Sequence, residues 1–341
     1  MITYDNILFH NVEELEKTEQ GMKFWRLPAA VRADLSENLR TNTARFGTGI
    51  ELRFKMKEDK AVIHLVAEPS EEANVCFLYY GSIQGGWQYS SKIIGTQDTA
   101  ITIIKPENMD RLKEITEEQH LPFDPEVVRI VLPYGNIYYL GHEGDIVPPE
   151  KEDLPEKTYL AYGSSITHGS LALGSPHTYA FQIGRRLKYD YLNKGFAGTA
   201  LAEEAMARWI HENKTWDVAS FELGVNMMGM AEEDFRSNIH RFMTVLREDT
   251  RPMFFTSIFR ENGPDPAQTE NFRKIVREEF RQVLSDRENA HFTEGTDLLG
   301  EPEFISQDLV HPSLEGAWAI GERWYEVMKK YLYKEVCNGS I

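Results

Sequence analysis

Residues 159–169 read Tyr159-Leu160-Ala161-Tyr162-Gly163-Ser164-Ser165-Ile166-Thr167-His168-Gly169, an apolar run that gives way to a polar loop. A run of this kind, ended by glycine and followed by hydroxyl side chains, predicts a buried strand that turns abruptly. Open α/β sheets bind ligands at the carboxyl ends of their parallel strands, so Ser165 is a candidate nucleophile. Ser and Thr are also preferred at helix starts, and a helix cap is the alternative interpretation.

The second half of the chain alternates between strand-like and helix-like segments. Short apolar runs predict strands at residues 159–162, 189–192, 218–223, 252–257 and 290–293. Apolar residues at helical spacing predict helices at 179–187, 201–211, 231–246, 267–284 and 314–331. This alternation predicts a parallel sheet between two layers of helices, joined by right-handed crossovers.

Four short motifs follow predicted strands: Gly163-Ser164-Ser165, Asn193 to Gly198, Gly224-Val225-Asn226, and Asp308 to Pro312. The spacing is 33 residues from Ser165 to Gly198 and 28 from Gly198 to Asn226. Both values are close to one strand-plus-crossover unit of about 30 residues. We therefore expect the motifs to return to the same edge of the sheet.

The residue types in these motifs suit ester hydrolysis. A serine hydroxyl needs a base to take its proton, and His311 is the proposed base for Ser165. Asp308 can hold the other ring nitrogen of His311 and stabilise the imidazolium. The oxyanion needs donors already in place, namely the backbone N–H groups of Ser165 and Gly198 and the side-chain amide of Asn226. Asn226 alone could equally be a turn residue whose amide bonds to backbone.

Length and charge bound the class of protein. At 341 residues the chain predicts two domains, and 41% hydrophobic and 27% charged residues are ordinary for a globular protein. A net charge of −17 argues against nucleic acid or an anionic membrane surface as the main partner. No apolar stretch is long enough for a membrane span, and the first residues lack a secretion signal, so we expect a cytoplasmic location.

Cysteine and histidine spacing point to chemistry without a cofactor. The two cysteines, Cys76 and Cys337, lie far apart, so we expect no disulfide framework and reduced thiols. The histidines do not show metal-ligand spacing such as His-x-x-x-His. A Gly-Lys-Ser/Thr phosphate loop and a Gly-x-Gly-x-x-Gly dinucleotide motif are also absent from the sequence. We therefore predict no metal and no cofactor.

The first half carries the pattern of a β-sandwich or jelly roll. Apolar and charged residues alternate strictly over 50–57, which predicts a strand with one face on a core and the other in water. Further strands are predicted at 61–67, 74–80, 99–104 and 127–132, with a short surface helix or a structured loop over 107–118. Sandwich core is favoured over a carbohydrate platform for four aromatic residues, Trp25, Tyr79, Tyr80 and Trp87. The proline- and charge-rich stretch 141–157 predicts a linker or a wrapped connection, and a boundary near Pro149 divides a domain of residues 1–149 from one of 150–341.

The four motifs resemble blocks of the SGNH, or GDSL-type, esterase and lipase family. Gly163 to Ile166 is similar to the first block, Asn193 to Gly198 to the second, Gly224 to Met227 to the third and Asp308 to His311 to the fifth. The resemblance covers roughly residues 158–332 and implies a flavodoxin-like three-layer αβα domain with the residue roles given above. The first half is similar to the β-sandwich that precedes this domain in some bacterial carbohydrate-esterase-like members.

The sequence departs from the family pattern at two positions. Ser164 stands where the family usually has Asp before the nucleophile, and Met227 stands where it usually has Asp after the third-block Asn. Neither position transfers a proton in the proposed mechanism, so we expect effects on loop rigidity and substrate preference. Ser164 is a minor rival nucleophile. His168 and His177 lie near the site in sequence, and His168 is interpreted as a solvated loop histidine rather than a substrate contact.

The leading hypothesis is a serine esterase that removes acetyl or another short acyl group from a small molecule or a carbohydrate. The carbohydrate part rests on analogy with two-domain relatives. One alternative is a lipase or thioesterase for longer acyl chains. Another is a carbohydrate-binding protein whose hydrolase domain is inactive.

Overall fold

The first half of the chain forms two antiparallel sheets. The computed structural model describes residues 1–333. The strands are β1 (Ile2–Tyr4), β2 (Ile7–His10), β3 (Glu14–Thr18), β4 (Gly21–Trp25), β5 (Glu51–Met56), β6 (Lys60–Ala67), β7 (Val75–Tyr80), β8 (Ile83–Gln84), β9 (Ser91–Ile93), β10 (Thr99–Ile104), β11 (Val127–Val131), β12 (Ile137–Glu143) and β13 (Ile146–Val147). The helices are α1 (Ala29–Arg32), α2 (Glu37–Thr41) and α3 (Met109–Glu118).

The two sheets pack face to face as a β-sandwich. One has the order β1-β2-β5-β11-β7-β8, with β13 beside β5 and β9 beside β7, and the other has the order β10-β6-β12-β4-β3. Alternate apolar residues of facing strands, such as Leu52, Phe54, Ile63 and Ile130, fill the space between them. The predicted sandwich and its surface helix are therefore confirmed.

The second half forms one parallel sheet covered by helices. Its strands are β14 (Thr158–Gly163), β15 (Asp190–Gly195), β16 (Val218–Glu222), β17 (Met253–Thr256) and β18 (Ala290–Thr293). Its helices are α4 (Ser165–His168), α5 (Tyr179–Leu187), α6 (Glu204–Glu212), α7 (Glu232–Leu246), α8 (Pro266–Val283), α9 (Gly295–Leu298) and α10 (Leu314–Leu332). All five predicted strands and all five predicted helices are present, with ends shifted by a few residues.

The sheet has the flavodoxin-like strand order. The order β15-β14-β16-β17-β18, with every pairing parallel, is 2-1-3-4-5 within the domain. Apolar residues of α6, α7 and α8 pack on one face of the sheet, and those of α5 and α10 pack on the other. The predicted three-layer αβα architecture is therefore confirmed.

The charged face of β5 is buried at Glu51 and Arg53, which contradicts the expectation that it would lie in water, whereas Lys55 is partly buried and Lys57 is exposed. Glu51 and Arg53 are fully buried because the second domain covers this face of the sandwich. Arg53 donates two hydrogen bonds of 2.7 Å to the carboxylate of Asp190, the first residue of β15. Arg129 of β11 pairs with Glu51 at 2.6 Å. The strict alternation located the two faces of the strand correctly, but tertiary packing decided what covers the second one.

The predicted linker is largely part of the sandwich. Strand β12 extends to Glu143, β13 pairs with β5, and a short 3₁₀ helix spans Lys151–Asp153. Residues 141–143 and 146–147 extend the existing sheets, so the stretch fits the predicted wrapped connection rather than a free linker. The boundary between residues 149 and 150 stays a prediction.

The four aromatic residues have different environments. Tyr80 lies in the sandwich core, as predicted, while Trp25 and Tyr79 are buried in clusters that include second-half residues. Trp87 is 99% exposed, so its assignment to the core was wrong. Its 3₁₀ helix, Trp87–Tyr89, lies in the connection between β8 and β9, which both pair with β7.

Two expectations about composition can be compared with the structure. Cys76 is a buried free thiol, whereas Cys337 lies outside the described residues. None of the helices within residues 1–333 is long and apolar enough to cross a membrane.

Candidate active site

Strand β14 leads directly into the serine loop. Ser164 is the N-cap of α4, and its Oγ accepts the backbone N–H of Ile166 at 3.1 Å. Ser165 is the first helical residue, and its hydroxyl is not used for capping. The helix-cap interpretation therefore applies to Ser164, and Ser165 stays a candidate nucleophile. The imidazole of His311 contacts the hydroxyl of Ser165 and not that of Ser164, which disfavours Ser164 as a nucleophile.

Ser165, His311 and Asp308 form a continuous chain of short contacts. The Nε2 atom of His311 lies 2.8 Å from the Oγ atom of Ser165, and its Nδ1 atom lies 2.6 Å from Oδ2 of Asp308. A proton on Nδ1 is favoured by the carboxylate, which leaves Nε2 free to accept the serine proton. This geometry joins the first and fourth motifs of the sequence.

Backbone donors keep Asp308 ionised. Its Oδ1 atom accepts the N–H groups of Val310 and His311, each at 2.9 Å, and the hydroxyl of Ser306 at 2.7 Å. Partial burial acts to raise the pKa of Asp308, but these donors and His311 hold it well below its usual range. The side chain is 41% exposed, so the hydrogen bonds rather than exclusion of water define its orientation.

The second and third motifs meet at a backbone loop of residues 196–200, which we call the Gly198 loop. The side-chain oxygen of Asn226 accepts the backbone N–H of Ala200 at 3.2 Å. Gly198 has a φ of +69°, in the left-handed region that favours glycine. Within residues 1–333 no protein hydrogen bond engages the backbone N–H of Ser165, that of Gly198 or the amide nitrogen of Asn226. Three donors are thus available for a ligand.

His168 connects the serine loop to the Gly198 loop. It is fully buried, its ring stacks on Tyr134 at 4.2 Å between centroids, and its Nδ1 atom accepts the N–H of Ala197 at 3.2 Å. Burial, assisted by the charge of Arg26, lowers the pKa of His168 well below its usual value. The interpretation as a solvated loop histidine was wrong because first-half residues cover the ring. His177 is half-buried, and its ring packs edge-on against Phe77 with 5.4 Å between the ring centroids.

Glu222, the last residue of β16, was missed at the sequence level. Its Oε2 atom accepts the backbone N–H of Ser164 at 2.6 Å and the hydroxyl of Thr167 at 3.1 Å. The fit is tight, since a Cβ added to Gly163 would lie 2.5 Å from the same oxygen. Burial raises the pKa of Glu222. An acidic residue at the end of the buried strand Val218–Glu222 was the available signal.

The two departures from the family pattern have structural counterparts. A carboxylate reaches the serine loop from Glu222 although residue 164 carries none. Met227 is fully buried in the core that α6, α7 and α8 share with the sheet. Met227 therefore supports packing beneath Asn226 and offers no charge to the site.

The described residues contain no evident metal centre. Within residues 1–333 no group of three or more His, Cys, Asp or Glu side chains is arranged to hold a metal ion.

Comparison with known proteins gives a matching family model for part of the second half and a fold for the whole chain. The family model for GDSL-like lipases and acylhydrolases matches residues 161–319. A search of curated proteins found no match.

Three solved structures resemble the chain over nearly its whole length. A salicylyl-acyltransferase from a tetracycline biosynthetic pathway is 15% identical, with 98% of this chain and 97% of that one covered and a TM-score of 0.72. A family two carbohydrate esterase from Clostridium thermocellum is 14% identical, with 96% and 99% covered and a TM-score of 0.59. An acetyl xylan esterase from Butyrivibrio proteoclasticus is 12% identical, with 97% of each chain covered and a TM-score of 0.55. At these identities the likeness establishes the fold, which includes the β-rich first half.

Proposed function

We propose that this ester hydrolase, whose residues 161–319 match the family model for GDSL-like lipases and acylhydrolases, removes acetyl or other short acyl groups through a Ser-His-Asp triad. The observation that carries this proposal is the contact chain from Asp308 through His311 to Ser165, at 2.6 and 2.8 Å. Both distances allow hydrogen bonding in the orientation that proton transfer requires.

The reaction follows from the position of each group. His311 Nε2 takes the proton of Ser165 as the hydroxyl oxygen attacks the acyl carbon. The carbonyl oxygen becomes an oxyanion, for which the N–H groups of Ser165 and Gly198 and the amide of Asn226 are the proposed donors. The imidazolium then gives its proton to the leaving alcohol, and an acyl-enzyme remains. A water molecule, deprotonated by His311, repeats the attack and releases the carboxylic acid and free Ser165.

The proposed substrate class is a short acyl ester of a small molecule or a carbohydrate. Exposure of the triad supports a site near the surface, since 25% of the His311 side chain and 41% of the Asp308 side chain are accessible. The carbohydrate part is supported by analogy with the carbohydrate esterase and the acetyl xylan esterase, whose two-part fold this chain shares.

A second candidate function is hydrolysis of longer acyl esters. Three exposed leucines lie close in sequence to the triad and the serine loop: Leu171, Leu173 and Leu309. Exposed apolar side chains near a catalytic serine would favour a longer acyl chain, because they would lose water on binding it. A substrate series therefore has to accompany the test of the triad.

The test is hydrolysis of p-nitrophenyl esters, from acetyl to dodecanoyl, by the wild type, Ser165→Ala and Ser164→Ala. We expect Ser165→Ala to lose at least about 10⁴-fold in kcat, because the triad acts as a unit. Ser164→Ala is the matched control and should keep most of its activity while losing about 1 kcal/mol of stability with the helix cap. Loss of turnover in Ser164→Ala alone would contradict the assignment of Ser165. A panel of acetylated sugars follows, and a preference rising with chain length would favour the second candidate.

A further inference from the structure

The first half of the chain holds the strand end from which the Gly198 loop emerges. Arg26, which follows β4, reaches across to β15. Its Nη1 atom donates to the carbonyl oxygens of Asn193 and Gly195, each at 2.9 Å, and its Nη2 atom donates to the carbonyl of Thr43 at 2.8 Å. Gly195 is the last residue of β15, so one guanidinium group fixes the strand end directly before the loop.

Arg26 is a buried cation without a carboxylate partner. Its side chain is fully buried, and no ion pair with Asp or Glu involves it within residues 1–333. Burial lowers the pKa of Arg26 to about 9. The guanidinium also lies over the ring of Phe196, the first residue of the Gly198 loop, with its carbon 4.7 Å from the ring centroid. A buried charge costs several kcal/mol to desolvate, so stability alone does not account for a cation here.

Other first-half residues hold the loop from both sides. The hydroxyls of Thr43 and Thr199 are 2.8 Å apart, which joins the first half to the residue after Gly198. Thr48 donates to the carbonyl of His168 at 2.8 Å, and His168 in turn accepts the N–H of Ala197. The Gly198 loop is thus anchored on each side of Gly198 by groups that lead back to the sandwich domain.

The buried charge also acts on the loop electrostatically. The largest influence on His168 is burial, but the charge of Arg26 further lowers the pKa of this residue. The guanidinium of Arg26 also lies directly beside the Gly198 loop, with its carbon 4.7 Å from the centroid of the Phe196 ring. A positive charge in a low-dielectric surrounding favours negative charge that develops nearby.

We propose that Arg26 is a positioning residue for the Gly198 loop, and that the sandwich domain is thereby a required part of the catalytic centre. Arg26 fixes the backbone direction in which the N–H of Gly198 points toward the developing oxyanion. This inference rests on the proposed function, because it assigns Arg26 an effect on the transition state of ester hydrolysis rather than on substrate binding.

A second buried arginine at the same interface provides a matched control. Arg53 also reaches from the sandwich to β15, but it binds Asp190 at the opposite end of the strand. The experiment compares Arg26→Lys and Arg26→Met with Arg53→Lys. It measures kcat and KM for p-nitrophenyl acetate, inhibition by an alkyl boronic acid that forms a tetrahedral anion on serine, and amide hydrogen exchange by mass spectrometry.

We expect Arg26→Met to lower kcat about 10²-fold with KM changed by less than about threefold, since small misplacements of catalytic groups have this effect. Boronic acid affinity should fall by a similar factor, and Arg26→Lys should recover part of both losses. Amide exchange should increase over residues 196–200 in the Arg26 variants and near Asp190 in Arg53→Lys. The kcat of Arg53→Lys should stay within about threefold of the wild-type value.

Three outcomes would overturn the inference. The first is a kcat of Arg26→Met equal to that of the wild type. Equal losses of kcat in Arg26→Lys and Arg53→Lys, in proportion to lost stability, is the second. The third is unchanged amide exchange over residues 196–200 in the Arg26 variants, which would count against the role of Arg26 even if the wild type hydrolyses no ester. An inactive wild type would by itself contradict the proposed function and not the positioning by Arg26. If Arg26→Met does not fold, Arg26→Lys carries the comparison.

Discussion

Asn226 offers a perturbation that separates oxyanion donation from loop support. Its side-chain oxygen accepts the N–H of Ala200, while its amide nitrogen has no protein partner among residues 1–333. Asn226→Asp keeps the shape and the acceptor for Ala200 but replaces the donor by a second oxygen. Asn226→Ala removes both functions. Comparison of the two variants therefore isolates the contribution of the amide nitrogen.

The magnitudes of the two functions differ enough to be distinguished. Removal of one oxyanion donor costs about 10²–10³ in kcat, or about 2.7–4 kcal/mol. The hydrogen bond to Ala200 is long, at 3.2 Å, and such a bond contributes about 0.5–1.5 kcal/mol to stability. Asn226→Ala should lose both amounts. Asn226→Asp should keep the stability of the wild type. Its loss of kcat should be at least as large as that of Asn226→Ala, because the charge of the carboxylate would repel the oxyanion.

The assay is steady-state hydrolysis of p-nitrophenyl acetate, with urea unfolding of each variant to report stability. KM should change little in both variants, because the donor acts on the transition state. If Asn226→Asp keeps a kcat near that of the wild type while Asn226→Ala loses it, Asn226 supports the loop and the assignment as an oxyanion donor is wrong.

Three further predictions concern buried ionisable side chains. Glu222→Ala should lower kcat about 10²-fold and destabilise the fold by about 1–3 kcal/mol, because it leaves the N–H of Ser164 unpaired. Glu222→Gln keeps an acceptor for this N–H and should keep most of the activity. Equal kcat values in the two variants would argue against a role of Glu222 in the serine loop. Arg53→Met should cost about 3–5 kcal/mol in urea unfolding because it leaves Asp190 without its guanidinium partner, and a loss below about 1 kcal/mol would contradict this. Burial, assisted by Arg53, lowers the pKa of His10 to about 4, so the unfolded chain binds a proton first as the pH falls. The stability that neutral His10 contributes is thus present above about pH 6.5 and is lost toward pH 4, by up to about 1.4 kcal/mol per pH unit. Urea unfolding at about pH 7.5, 6 and 5 measures this loss. A free energy of unfolding that does not change with pH would refute it.

Local sequence patterns were sufficient for most of the second domain. The strand at residues 290–293 and the helices at 232–246 and 266–283 follow from apolar spacing, because each segment forms its own periodic face. Spacing between motifs also placed Ser165, Gly198 and Asn226 at strand ends of one sheet edge. The structure links these motifs through His168, Ala200 and His311, but their chemical roles stay proposals.

Expectations about exposure were the weakest. His168 was expected in solvent and is buried under Tyr134, and Glu222 received no role although it contacts the serine loop. Trp87 was expected in a core and lies in solvent. In each case the residue's own neighbours in sequence are compatible with either environment, so local pattern does not decide between them.

The sequence by itself determined the class of each domain, the order of the parallel strands' motifs and the residue types available for catalysis, because these depend on periodicity and spacing along the chain. Only the tertiary structure decided that the charged face of β5 is buried and that Arg26 holds the end of β15. The physical reason is that burial and hydrogen bonding of these groups depend on segments more than 100 residues away, which no local pattern encodes.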